Sequence, residues 1–308
     1  MDSTAVCIHL IGDLYPELQA EIDASGASLV ADPAEARGIV VSYGGRPQEL
    51  RELLDAHSGI EWVQLPSAGI EMFTDSLAAH PGIRWTSAKG AYALPVAEHA
   101  LALTLALLRE LPERVRATSW APATGTSLHG LRVVVVGAGG VAQEIVRLVK
   151  CFRTDVTVVR RRAVPVAGAD RTVTDAELAT LLPDTDVLVL AAAVTPDTRG
   201  LVDAALLDAL PAHAILVNIA RGALVDTAAL VTALATGRIA GAALDVTDPE
   251  PLPDGHPLWA EPRALITPHA ADTIEMIRPL YAARVRENLT RFRAGDTLDG
   301  VVDPAAGY

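Results

Sequence analysis

The chain has 308 residues, half of them hydrophobic, which suits two domains with sizeable cores and excludes a disordered polymer. Its formal net charge of −13 argues against nucleic acid or an anionic membrane surface as partner. Only Cys7 and Cys151 carry thiols and no Cys-x-x-Cys occurs, so a disulfide framework is excluded and a reducing cytoplasm fits.

Taken in chain order, Ala5–Leu10 is predicted to be a strand, with no basic segment and apolar core before it to mark a signal peptide. Leu14–Ala24 has helical spacing, Ser28–Val30 and Gly38–Ser42 read as strands, and Pro47–His57 as a helix. Ile60–Leu65 and Ile83–Thr86 complete a small α/β domain of about ninety residues. Its strand ends carry the loops Tyr43-Gly44-Gly45-Arg46 and Pro66-Ser67-Ala68-Gly69. Ligands of open parallel sheets sit beyond the carboxyl ends of strands, so both loops are candidate substrate walls, the first equally an ordinary turn.

Pro95 can open a helix, and Val96 to Arg116 keeps helical character, long enough to bridge two domains. Its apolar part, Val96 to Leu108, contains Glu98 and His99 and falls short of the roughly 20 residues of a membrane span. Leu131-Arg132-Val133-Val134-Val135-Val136 then reads as a strand buried on both faces. It runs into Gly137-Ala138-Gly139-Gly140-Val141-Ala142, and Val141 to Val149 reads as a helix. The alternation continues with strands at Asp155–Val159, Val187–Ala192, Ala214–Ile219, Ala240–Val246 and Ala264–Thr267. Helices are expected at Asp175–Leu182, Asp203–Leu210, Asp226–Thr236 and about Asp272 to Ala294. The expectation is two doubly wound parallel-sheet α/β domains: a Rossmann-type dinucleotide domain, residues 95–277, and a smaller flavodoxin-like substrate domain. The smaller one is discontinuous, from residues 1–94 and 278–308.

The strand–glycine–helix stretch supplies the cofactor argument. Gly137 permits a tight turn, Gly139 lets the backbone approach a pyrophosphate, and the helix opening at Gly140 and Val141 offers free N–H groups. The next strand usually ends in an acidic residue that holds the ribose of NAD, yet here Val159 is followed by Arg160-Arg161-Arg162. Guanidinium groups accept a 2′-phosphate through charge-assisted bonds worth about 1.5–3 kcal/mol, or one to two decades of affinity. NADP(H) is therefore the expected cofactor, with NAD(H) the alternative.

Three later stretches follow strands: Asn218-Ile219-Ala220-Arg221-Gly222, Asp248-Pro249-Glu250-Pro251 and Thr267-Pro268-His269-Ala270. Arg221, Glu250 and His269 are the types that reduction of a 2-keto acid needs. Arginine clamps the carboxylate, imidazolium donates the proton, and a neighbouring carboxylate favours the charged imidazole and orients it. Singly, each has an ordinary structural reading as a turn cap, a solvated carboxylate or a buried imidazole.

Ala220-Arg221-Gly222, Leu244-Asp245-Val246, Glu250-Pro251-Leu252 and Thr267-Pro268-His269 together resemble the D-isomer-specific 2-hydroxyacid dehydrogenase family. Val96-Ala97-Glu98-His99 and Thr195-Pro196-Asp197-Thr198-Arg199-Gly200 fit it as well. The resemblance is strong from about Pro95 to Ala271 and only architectural before that. It implies that Arg221 binds the substrate carboxylate, His269 is the acid/base and Glu250 its partner. It also implies that Asp245 contacts the nicotinamide carboxamide, that Thr198 and Ile219 line the cofactor groove, and that Ser67-Ala68-Gly69 holds the carboxylate with backbone N–H groups.

Arg160 stands where NAD-using relatives have aspartate, as in the NADPH-using glyoxylate/hydroxypyruvate reductases. Ala193 replaces a proline common in relatives. Tyr92 and Arg46 are candidates for the substrate end, Trp259 is either a core aromatic or turned to a partner subunit, and His99 is expected to pack rather than react. The implied protein is a dimeric, cytoplasmic NADPH-dependent reductase of a small 2-keto acid, with no metal. The alternatives are a phosphite or formate dehydrogenase on the same scaffold, the latter disfavoured by Glu250, and a nucleotide-sensing corepressor-like protein.

Overall fold

The structure, a computed structural model, describes residues 6–303. It divides into two compact units, one from the chain up to Tyr92 together with the chain from Thr273 onward, the other from Ala93–Asp272. Every strand ladder described is parallel, as the run of alternating strands and helices requires.

The first unit holds β1 (Cys7–Ile11), β2 (Ser28–Leu29), β3 (Gly38–Val41), β4 (Trp62–Gln64) and β5 (Arg84–Thr86). Their order, β2-β1-β3-β4-β5, is the flavodoxin-like one. Ala5, where the first predicted strand begins, lies outside the described residues. β3 is buried along its whole length, because helices cover both faces of a parallel sheet. The helix Ile274–Ala294 belongs to this unit and lies against the helix Pro16–Ser25. Thr273 caps it by accepting the Met276 N–H, and left-handed Gly295 ends it. Its buried stripe of Ile277, Tyr281, Val285 and Leu289 repeats every fourth residue, the spacing of one helix face. Below that stripe Asn288 Nδ2 donates to Gln64 Oε1 at 2.7 Å and to the Asp299 carbonyl at 2.9 Å, so the buried amides satisfy one another.

The second unit holds β6 (Arg132–Val136), β7 (Asp155–Val159), β8 (Arg171–Val173), β9 (Val187–Leu190), β10 (Ile215–Asn218), β11 (Gly241–Leu244) and β12 (Ala264–Ile266). The order β12-β11-β10-β9-β6-β7-β8 is the Rossmann arrangement with one strand added beyond β11. The valines of β6 are buried at the sheet centre, and β9, β10 and β11 are buried throughout. The order reverses between β6 and β9, which places the switch point at the end of β6.

The short helices Thr74–Ala79 and Pro257–Ala260 were not expected, and two further differences are larger. β8 was not foreseen, because Arg171-Thr172-Val173 is three residues long and sits at the sheet edge with no period to betray it. The helix expected over Val96–Arg116 is Ala93–Leu108, a break, and a short turn at Leu111–Arg114. Glu110 takes a left-handed φ of 51°, and Pro112 has no N–H to offer the Leu108 carbonyl. Thr126 N–H takes that acceptor instead, at 2.7 Å, which turns the chain back. No described helix is long and apolar enough to cross a membrane.

Candidate active site

At the end of β6, Gly137 has a φ of 117°, and an added Cβ would run into the carbonyl of Ala191 beyond β9. Only glycine serves there, and its N–H donates to the Val159 carbonyl at 2.8 Å. At Gly139 the opposite holds: an added Cβ would meet nothing within 4 Å, so this face of the turn is open. Gly139 caps the helix Gly140–Lys150 without a side-chain bond, and the first turn holds no acid. Its leading N–H groups and positive dipole end therefore face the open side uncompensated, and buried Ala142 lets the helix lie close on the sheet. These residues fit a pyrophosphate. Arg160, after β7, is half-buried and donates Nη1 to the Val164 carbonyl at 3.2 Å, leaving other guanidinium donors for an anion. Arg161 beside it is exposed.

Elsewhere on this edge, Thr198 Oγ1 closes its own turn, accepting from Thr195 N–H at 2.7 Å and donating to the Ala193 carbonyl at 2.8 Å. Ile219 is 8% exposed at the end of β10.

Loops after β10, β11 and β12 carry the three reactive side chains. Asn218, fully buried, donates to the Arg221 carbonyl at 2.9 Å and accepts from Ala220 N–H at 3.1 Å, shaping the turn that presents Arg221. Gly222 follows because a Cβ there would collide with the Thr247 carbonyl, so the Arg221 loop lies directly on the loop bearing Glu250. Glu250 Oε1 meets His269 Nδ1 at 2.6 Å, with both side chains about half exposed. Its other oxygen accepts from Thr247 N–H at 3.4 Å. A cavity of about 240 Å³ lies against this pair, lined also by Trp259, Leu252 and Ile266.

Beneath the pair is a buried network that residue types alone did not reveal. The Asp245 side chain is 1% exposed. Its Oδ1 accepts from Thr267 Oγ1 at 2.6 Å and Ala270 N–H at 2.9 Å, and Oδ2 from Ala271 N–H at 3.1 Å. His99, on the helix Ala93–Leu108, brings Nε2 within 3.0 Å of Thr267 Oγ1 and 3.4 Å of Asp245 Oδ1. Burial pushes the Asp245 carboxyl up, but the hydrogen bonds from His99, Thr267 and the two N–H groups outweigh it and hold it below the usual carboxylate range. Asp272, half-buried three residues after His269, is pushed the other way: burial raises it, the His269 charge opposes, and Asp245 adds to the rise.

In the first unit, the loop after β4 is tied by Ser67 Oγ donating to the Gly69 carbonyl at 2.5 Å, and Ala88 N–H donates to the Ser67 carbonyl at 2.9 Å. Tyr92, buried, donates to the Pro66 carbonyl and meets Tyr43 Oη at 2.7 Å. Arg46 is exposed and faces Glu49.

A family model described as "D-isomer specific 2-hydroxyacid dehydrogenase, NAD binding domain" matches residues 101–271, more than half of the chain. An uncharacterized protein from the proB 3′ region of Corynebacterium melassecola is 37% identical over 305 residues, 96% of this chain and 99% of that protein. The glyoxylate reductase/hydroxypyruvate reductase of Mus musculus is 31% identical over 80% of this chain and 79% of its own. Among solved structures, a D-isomer specific 2-hydroxyacid dehydrogenase from Xanthobacter autotrophicus Py2, in complex with NADPH and MES, superposes with a TM-score of 0.83 at 27% identity. That match covers 99% of this chain and all of the other.

Proposed function

The chain belongs to the D-isomer specific 2-hydroxyacid dehydrogenase family and is an NAD(P)-dependent oxidoreductase, and from that premise we propose an NADPH-dependent reductase of small 2-keto acids. Glyoxylate and hydroxypyruvate are the first candidates, and the products are D-2-hydroxy acids. The observation that carries the reading is the 2.6 Å contact of Glu250 with His269 on loops that adjoin Arg221.

The roles follow from that arrangement. Arg221 presents a planar fork to the substrate carboxylate and polarises the neighbouring carbonyl. Glu250 occupies His269 Nδ1, which leaves Nε2 to deliver the proton to the carbonyl oxygen. Asp245 and His99 act as positioning groups that hold the 267–271 loop in register. Asp245 Oδ2 accepts one hydrogen bond within the protein, from Ala271 N–H, and keeps acceptor capacity for the nicotinamide carboxamide. Ser67, Ala68 and Gly69 offer backbone N–H groups to the substrate carboxylate. The residues that would hold the cofactor are Gly137, Gly139, Gly140 and Val141 at the pyrophosphate, Arg160 and Arg161 at a 2′-phosphate, and Thr198 and Ile219 along the groove. When bound, the nicotinamide supplies the hydride. Arg160, and the NADPH in the Xanthobacter relative, support the phosphorylated cofactor.

A homodimer completes the reading. Its support is the exposed apolar side chains Val115 and Trp120, and dimers by light scattering are the expected result. The deciding experiment is kcat/KM with NADPH and NADH against glyoxylate, hydroxypyruvate, pyruvate and an aryl keto acid. The reading requires turnover of at least one acid and a preference for NADPH that Arg160→Asp abolishes. Tight NADPH binding with no turnover would overturn it in favour of a sensing protein.

A further inference from the structure

The loop after β4 carries backbone donors whose direction traces to one buried phenol. Among the described residues, the N–H groups of Ser67, Ala68 and Gly69 make no hydrogen bond within the protein, and Ser67 and Ala68 are exposed. The carbonyls that share peptide planes with the first two are both engaged. Tyr92 Oη donates to the Pro66 carbonyl, and Ala88 N–H donates to the Ser67 carbonyl at 2.9 Å. Both peptide bonds, Pro66-Ser67 and Ser67-Ala68, are trans, and in a planar trans peptide the C=O and N–H point in opposite directions. Tyr92 and Ala88 are buried, so each carbonyl drawn inward turns the next residue's N–H outward.

The two anchors are themselves fixed. Ala88 and Tyr92 lie in the segment after β5, which Gly90 turns with a φ of 80° and Ala91 N–H closes onto the Ala88 carbonyl at 2.8 Å. From the helix Ile274–Ala294, Arg284 Nη1 donates to the carbonyls of Ser87 at 3.3 Å and Lys89 at 3.0 Å, which pins the same segment.

Tyr92 has one proton and gives it to Pro66, so at the 2.7 Å contact between the two phenols Tyr43 is the donor. The Tyr43 ring packs against those of Tyr15 and Tyr281, with centroids 6.5 and 5.9 Å away. Burial pushes the Tyr92 phenol far above its ordinary value, so the proton it donates stays in place. Tyr43, Pro66 and Ala88 follow β3, β4 and β5, so these bonds lie along the carboxyl edge of the sheet, where ligands of open parallel sheets bind.

We propose that Tyr92, oriented by Tyr43, is a positioning residue for substrate binding. By holding the Pro66 carbonyl it aims the Ser67 N–H at the carboxylate of the 2-keto acid, beside the Ala68 N–H that Ala88 aims. The proposal rests on the keto-acid reading above and adds to it the groups that shape the carboxylate loop. A well-aimed N–H on a carboxylate is a charge-assisted bond worth about one to two decades of affinity.

The test is Tyr92→Phe, which keeps the ring in the core and removes only the O–H. The KM for glyoxylate and hydroxypyruvate should rise about tenfold. The kcat should stay within about a factor of two, as loss of a contact made equally in the ground and transition states requires. The inhibition constant of oxamate, which carries the carboxylate but is not reduced, should rise by the same factor, with NADPH affinity by fluorescence titration unchanged. Tyr43→Phe leaves the Pro66 bond in place and should move KM in the same direction by less. Wild-type KM and oxamate inhibition in Tyr92→Phe would overturn the proposal, as would a loss confined to kcat. Loss of NADPH affinity alongside KM would reduce Tyr92 to a packing role and overturn it as well. Wild-type protein that reduces no keto acid would instead sink the keto-acid reading, and this proposal with it.

Discussion

The backbone N–H of His269 donates to the carbonyl of Asp245 at 2.8 Å, and it does so from a left-handed conformation with φ of 50°. Histidine adopts that conformation only where its surroundings hold it, and here the Asp245 side chain binds the two residues that follow. Asp245 therefore fixes both the backbone and the setting of the proposed proton donor.

Replacing His269 with alanine should lower kcat by about 10²–10⁴ while leaving NADPH affinity in place, as loss of a general acid requires. Steady-state rates together with fluorescence titration of NADPH separate the two. Unchanged kcat would remove His269 from the mechanism.

Asp245→Asn should destabilise the protein by about 1–3 kcal/mol, since it removes the charge on which buried donors converge. The carboxyl is held low when folded, so its stabilising contribution is complete above about pH 4, its ordinary value, and drains away as pH falls through the lower folded value. Thermal melts in acid should therefore be steeper for the wild type than for the variant. Parallel curves would show that the network stabilises nothing.

Asp272→Asn should act in the opposite sense. Burial raises this carboxyl, so the folded protein favours the neutral form, whose contribution is present below about pH 4 and lost as pH rises through the raised value. At neutral pH the ionised group is a burden, and the amide should raise Tm, with the gain vanishing in acid. A lower Tm at pH 7 would contradict this.

The two turn glycines should part company. Gly137→Ala forces an alanine into a left-handed φ against the Ala191 carbonyl and should cost about 1–3 kcal/mol of stability, measured by denaturant unfolding. Gly139 has an ordinary φ of −73° and open space, so Gly139→Ala should fold normally and lose cofactor affinity instead. Equal affinity in that variant would place the pyrophosphate elsewhere.

The doubly wound class and the first turn were readable in the sequence because alternating strands and helices, four valines and two glycines impose strong local conditions, burial on both faces and a turn that excludes side chains. Arg221, Glu250 and His269 were readable as chemistry, because few residue types can perform it. The break at Glu110 was not, because it depends on Thr126 claiming the Leu108 carbonyl from 18 residues away. The engagement of His99 with Thr267, 168 residues away, and of Thr267 with Asp245, 22 residues away, escaped for the same reason.

The residues Asn218, Leu244 and Ile266 stand level with one another across β10, β11 and β12. Arg221 and His269 each follow three residues beyond that line, and Glu250 six beyond it, so main-chain ladders rule the spacing of all three. The proposed reaction chemistry is thus inherited as a block from one sheet of one unit. The tyrosines and the Ser67 loop belong to the other compact unit, which has its own core. A lineage carrying this arrangement can exchange the acid it recognises by drift in that second set, while the machinery of proton and hydride transfer passes on untouched.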